Sequence, residues 1–165
     1  PLLLKGTVRR NVDPFHKHSE AHVLEAIQSV GMQPEALDMN IGLNGDKLSN
    51  GERQLISLAR AFLHNGRVVV MDEPTSNIDD ATDRVVQRVS RSQFKGRTVI
   101  TIAHRINTII DCDNILVLDS GCVTEFGAPA ELLRRDETEA GGPGLFATMA
   151  RRALGDKQVA ELRRK

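Results

Sequence analysis

Four apolar residues running into two acids, Val68-Val69-Val70-Met71-Asp72-Glu73, constrain the fold of this chain more than any other stretch. The apolar run has the length of a buried strand. Its end delivers two carboxylates to the crevice at a sheet's carboxyl edge. The first, Asp72, suits Mg²⁺, which takes one or two carboxylates and completes its shell with phosphate oxygens and water. The second, Glu73, suits a general base for an attacking water. A local reading, in which an acidic strand end caps or pairs with a neighbour, leaves unexplained why both acids follow four apolar residues.

The segment Leu48-Ser49-Asn50-Gly51-Glu52-Arg53-Gln54 lies one helix's length upstream. Ser49 and Glu52 make a Ser-x-x-Glu capping box. It opens a helix that continues to about His64, with Leu55, Leu58, Ala59 and Phe62 at helical spacing. Capping does not account for Gly51, which helix propensity disfavours. An anion site does. Free N–H groups and a hydroxyl at a helix N-terminus face a phosphate, and Gly51 lets that phosphate approach the backbone.

Elsewhere helices and strands alternate. Residues 1–18 read as loop and short strand, with Asp13-Pro14 discouraging helix at Asp13. Ser19 caps a helix to about Val30, with Val23, Ile27 and Val30 on one face and Gly31 ending it. Residues 32–47 read as a loop with at most a helical turn. Asp79 or Asp80 caps a helix that turns Val85, Val86 and Val89 inward. Residues 98–103 read as a strand, 105–111 as a short helix, and 115–118 with 122–126 as a hairpin around Ser120-Gly121. Pro129 begins a short helix through Leu133, residues 136–144 read as a flexible insertion, and the tail from Leu145 is helical and basic at its end. This order implies a parallel α/β sheet with an antiparallel hairpin at one edge.

Composition narrows the class. The chain has 165 residues, enough for one domain of ordinary size. Its 22 Lys and Arg balance 22 Asp and Glu, so net charge makes no case for nucleic acid. No apolar run approaches the ~20 residues that span a bilayer. Cys112 and Cys122 form no CxxC and read as reduced, semi-buried residues. The chain does not begin with Met and opens in what reads as mid-domain, so it is expected to be a fragment.

With the acid-ended strand downstream, residues 48–54 resemble the signature motif of ATP-binding cassette (ABC) ATPases, and residues 68–73 their Walker B motif. Ser76-Asn77-Ile78-Asp79 sits where that family has its D-loop, usually Ser-Ala-Leu-Asp, and Ala103-His104-Arg105 matches its H-loop. Gly6-Thr7-Val8-Arg9-Arg10-Asn11-Val12-Asp13-Pro14-Phe15 resembles a stretch of subfamily C, the multidrug-resistance-protein type. Residues 102–109, 117–121, 125–129 and 144–146 fit it too, and Asn50 and Glu73 fit its second, C-terminal nucleotide-binding domain better than its first. No G-x-x-x-x-G-K-[ST] occurs in the chain. In the family that loop, the Q-loop glutamine and the adenine-stacking aromatic lie upstream.

The resemblance implies a site. Asp72 helps hold Mg²⁺ through water, Glu73 polarises the attacking water, and His104 contacts the γ-phosphate. Leu48, Ser49, Asn50, Gly51 and Glu52 form the signature face for ATP held by a partner domain, which Asp79 of the D-loop touches. The family's commonest signature is Leu-Ser-Gly-Gly-Gln. Asn50 and Glu52 depart from it, and Glu52 sets a carboxylate near phosphates. The expected fold is α/β, a partial P-loop NTPase-type parallel sheet flanked by helices, with a helical subdomain and a C-terminal β-hairpin. Residues 1–150 are expected to be the C-terminal portion of a nucleotide-binding domain: 1–65 the signature part, 66–135 the Walker B to H-loop core and hairpin. Residues 151–165 are a basic tail. The expected function is the ATP-hydrolysing part of an exporter. Its partners are ATP, Mg²⁺, a second nucleotide-binding domain and transmembrane domains of the same protein, with this segment on the cytoplasmic side of a membrane. A nucleotide-gated channel-type protein and a soluble ABC ATPase remain the alternatives.

Overall fold

The computed structural model describes residues 2–74, 78–135 and 144–164. They divide between two compact units, Pro1–Ile102 and Ala103–Lys165. Part of the D-loop, Ser76 and Asn77, and residues 136–143 of the expected insertion lie outside the described residues.

In the first unit, α1 (Val8–Val12) stands where the sequence pattern reads loop and strand. Five residues carry no periodic signal, and this turn is held from outside. The Val8 N–H donates to the Met39 carbonyl at 3.1 Å, and Arg60 Nε donates to the Asn11 carbonyl at 2.7 Å. Thr7 caps the turn by accepting from the Arg10 N–H. Asp13, held out of the helical region ahead of Pro14, ends it. The strand reading survives as one bridge, Thr7 to Asn40.

α2 (Glu20–Ser29) is capped by Ser19 and buries Val23, Ala26 and Ile27, with Val30 buried just beyond it. A 3-10 helix (Pro34–Asp38) adds Leu37 to the same core. α3 (Asn50–His64) turns Gly51, Ile56, Leu58, Ala59 and Leu63 inward. Leu55 and Phe62, at the spacing read from the sequence, sit at the margin of that face. Asn65, left-handed at φ 51°, closes the helix.

β1 (Val68–Asp72) leads through α4 (Asp80–Gln93) to β2 (Thr98–Ile102), and the strands pair in parallel from Val68↔Thr98 to Asp72↔Ile102. Val69, Val86, Val89 and Phe94 join the core of α2 and α3. Val85 is half-buried. The sequence reads β1 as a buried strand, but the structure buries one face only. Val70 is 64% and Ile100 51% exposed, because the sheet has two strands here and no described element of this unit covers its second face.

In the second unit, β3 (Ile115–Asp119) and β4 (Cys122–Gly127) form the hairpin, turning through Ser120 and Gly121, both at positive φ. It is a two-stranded sheet of its own, not an edge of β1–β2. Ile115 and Val117 serve a separate core built with α5 (Ile106–Ile109), α6 (Pro129–Arg135), α7 (Leu145–Leu154) and α8 (Asp156–Leu162). The tail is two helices rather than one, because Gly155 at φ 79° breaks it. Gly144 offers α7 no capping side chain. The Glu125 carboxylate takes that place, accepting the Leu145 and Phe146 N–H groups at 2.7 and 3.0 Å. Both cysteines are exposed rather than semi-buried. Among the described residues no helix is long and apolar enough to cross a membrane.

Candidate functional site

The capping box expected at α3 is complete. Ser49 Oγ accepts from the Glu52 N–H at 3.2 Å, and Glu52 Oε2 accepts from the Ser49 N–H and the Ser49 hydroxyl, both at 2.8 Å. Glu52 therefore folds back over the helix N-terminus and sets its negative charge on the groups that the sequence assigns to a phosphate. Leu48 is buried beneath this turn. Ser49 and Asn50 are exposed.

Gly51 is buried, and its missing side chain has a packing reason. A Cβ there would lie 2.9 Å from Thr82 Oγ1 and 3.1 Å from Thr82 Cγ2. Thr82, in the first turn of α4, is itself fixed by the helix cap. Its hydroxyl donates to Asp79 Oδ2 at 2.7 Å, and its N–H donates to Asp79 Oδ1 at 3.0 Å. The Ala81 N–H adds a second bond to Asp79 Oδ1 at 3.0 Å. The Thr82 N–H and hydroxyl hold the Asp79 carboxyl below its ordinary value of 3.8. The first turns of α3 and α4 thus meet at Gly51 and Thr82, with Asp79 gripping the second partner. Sequence reasoning finds Asp79 as a cap but not Thr82, since nothing local marks a contact between residues so far apart in the chain.

The carboxyl end of β1 is built differently. Asp72 is exposed and Glu73 half-buried. The Glu73 N–H donates to the Ile102 carbonyl at 2.9 Å, which ties it to the end of β2. Glu73 has φ 43°, a left-handed conformation that costs a non-glycine residue about 1–2 kcal/mol. Such strain persists where surrounding structure enforces it and clusters at functional sites. A half-open cleft of ≈ 220 Å³ lies beside Asp72, lined also by Gln54 and Ser57 of α3 and by Pro74.

Among the described residues no group of three or more His, Cys, Asp or Glu could hold a metal by itself. A carboxylate such as Asp72 at a strand end is nevertheless the kind of oxygen donor that Mg²⁺ uses when phosphate oxygens complete its shell. That donor fits Mg²⁺ arriving with a phosphate. His104 lies in the second unit, exposed, just ahead of α5. The first unit thus brings residues 48–52 together with Asp79 through Thr82, and carries Asp72 and Glu73 at the end of its sheet.

A family profile described as ABC transporter matches residues 2–76. The chain is 40% identical to ATP-binding cassette sub-family C member 4 of Mus musculus, over 98% of this chain and 12% of that protein. It is 45% identical to sub-family C member 3 of the same organism, over 93% of this chain and 10% of that protein. It is 42% identical to the probable multidrug resistance-associated protein lethal(2)03659 of Drosophila melanogaster, over 84% and 11%. The chain thus spans about a tenth of the length of these curated relatives. Its fold matches a bacterial Atm1-family ABC exporter with ATP bound, with TM-score 0.78 and 34% identity over 93% of this chain and 27% of that one.

Proposed function

The chain belongs to the ABC transporter family, and from that premise we propose that it is part of the ATP-binding and ATP-hydrolysing machinery of a subfamily C exporter. The observation that carries the reading is the pairing of two features within one compact unit. One is a signature-type helix N-terminus, and the other is a parallel strand ending in Asp72 and Glu73. ABC ATPase domains bind ATP. Residues 1–150 are the C-terminal portion of such a domain, most similar to the second nucleotide-binding domain of its subfamily, and residues 151–165 are a basic tail.

The reaction is phosphoryl transfer to water, which needs positioning and charge stabilisation more than covalent chemistry. Glu73, held by the strained turn after β1, accepts the proton of the attacking water. Asp72 would hold Mg²⁺, which would supply charge neutralisation at the phosphate oxygens. His104 donates to the γ-phosphate of ATP held on this domain. Ser49, Asn50 and the Gly51 backbone N–H present the α3 N-terminus to the γ-phosphate of ATP held on a second nucleotide-binding domain. Asp79 faces that domain from the D-loop. Closure of the two domains over ATP moves transmembrane domains of the same protein, with this segment on the cytoplasmic side of a membrane.

Purified full-length transporter in lipid vesicles tests the reading. Mg²⁺-dependent ATP hydrolysis coupled to solute movement is expected. Nucleotide binding without hydrolysis, or ion conductance in place of solute transport, would overturn it in favour of a gated, non-exporting protein.

A further inference from the structure

The geometry points to Thr82 as a positioning residue that locks the signature turn of α3 to the D-loop cap of α4, so that both present to the partner domain as one body. The inference rests on the composite-site reading above and adds a residue and a mechanism to it.

Two contacts carry it. Gly51 is the second residue of α3, and the space its side chain would need is filled by the hydroxyl and methyl of Thr82, 2.9 and 3.1 Å from the position of a Cβ. Thr82 is the third residue of α4, and its hydroxyl donates to Asp79 at 2.7 Å. A helical threonine divides between two χ1 rotamers, and the bond to Asp79 selects one of them. The selected rotamer is the one that abuts Gly51. Position is therefore passed from the Asp79 carboxylate to the Thr82 side chain to the Gly51 backbone. No side chain of α3 stands between, so there is no slack for a rotamer change to absorb. Close-packed contacts of this kind transmit displacement rather than damp it.

The consequence concerns a site shared by two domains. Signature turn and D-loop must both meet their targets when the domains close. If each were free to settle alone, closure would have to order both. Locked through Thr82, they arrive in a fixed relation, and a displacement of Asp79 by the partner domain shifts the Ser49–Glu52 turn with it. Thr82 itself touches no reacting atom in this scheme.

A double-mutant cycle in the full-length transporter tests this, read by ATP turnover and by thermal unfolding. Gly51→Ala places a methyl against Thr82 and should lower kcat about tenfold with little change in KM for ATP. Thr82→Ala alone should cost less. Combining Gly51→Ala with Thr82→Ala opens the space again, and turnover should recover at least threefold over Gly51→Ala. Thr82→Ser keeps the hydroxyl bond to Asp79 and should stay near wild type, whereas Thr82→Val keeps the bulk and should lower kcat. Additive losses in turnover would overturn the inference. So would recovery of melting temperature without recovery of kcat, since the contact would then be packing alone. Failure of the underlying reading has a separate mark: a Glu73→Gln protein that still hydrolyses ATP at the wild-type rate.

Discussion

The two ends of the candidate site are made by opposite means. At the signature end, the chain satisfies itself. Ser49 and Glu52 close a reciprocal capping box, Gly51 packs on Thr82, and Asp79 secures Thr82 together with the first N–H groups of α4. At the end of β1, Asp72 is exposed, Glu73 is strained at φ 43°, and the sheet behind them leaves Val70 64% exposed. Parallel sheets are ordinarily covered on both faces. The first corner is therefore held by contacts within the unit itself and stands ready. The second corner draws its order from the β1–β2 ladder and takes its chemical meaning from what meets it. The difference separates groups whose replacement should harm folding and function together from groups whose replacement should harm function alone.

The largest expected effect lies at the open end. In the full-length transporter, Glu73→Gln keeps the shape and the backbone bond to Ile102 but removes the base. Turnover should fall by about 10²–10⁴ while ATP stays bound and the melting temperature holds. Near-wild-type turnover would show that Glu73 is not the base. A marked loss of stability would erase the contrast between the two corners.

Gly51→Asp should come next, and it should harm both properties. The new side chain collides with Thr82, and its charge opposes the triphosphate. Since like-charge juxtaposition costs several kcal/mol, ATP labelling should fall on the order of a hundredfold at the site anchored on the partner domain. ATP anchored on this domain should still bind. Labelling each domain separately with an azido-ATP distinguishes them. Loss confined to this domain would contradict the composite-site reading.

A smaller effect is expected at His104. If it contributes one charge-assisted hydrogen bond among many to the γ-phosphate, His104→Ala should lower turnover about tenfold with little loss of affinity. Unchanged turnover and affinity would make His104 a structural residue of the second unit.

What the sequence makes legible here is what is local. The capping box spans four positions, the amphipathic faces of α2 and α4 repeat over several turns, and the Ser120-Gly121 turn is marked by two adjacent residues. Each carries its cause within a short window. The features that escape are held across the chain. α1 is too short for periodicity and depends on Met39 and Arg60. The inward face of α3 is set by its neighbours, which favour Ile56 and Leu63 over Leu55 and Phe62. Gly51 reads from sequence as a place for a phosphate to approach, and the Thr82 contact supplies a second demand on the same position that no local pattern announces. The Glu125 carboxylate that caps α7 is invisible for the same reason.

The smallest effect should come from Asp79→Asn, and its pH dependence is its signature. The Thr82 N–H and hydroxyl hold the Asp79 carboxyl below 3.8 in the folded chain. A carboxylate with a depressed folded pKa adds stability above its unfolded value, and that stability is lost as pH falls through the folded value. Asparagine is as good an N-cap as aspartate but carries no charge. Wild type should therefore melt slightly above Asp79→Asn at neutral pH and at pH 5. The gap should narrow below about pH 4 and close on further acidification. Thermal unfolding of both proteins across that range measures it. A gap that persists unchanged into strong acid would mean the corner is held by the shape of the side chain and not by its charge. In that case the Asp79–Thr82 bond would orient the threonine only as a neutral acceptor would, and the self-sufficiency of the signature corner would rest on packing.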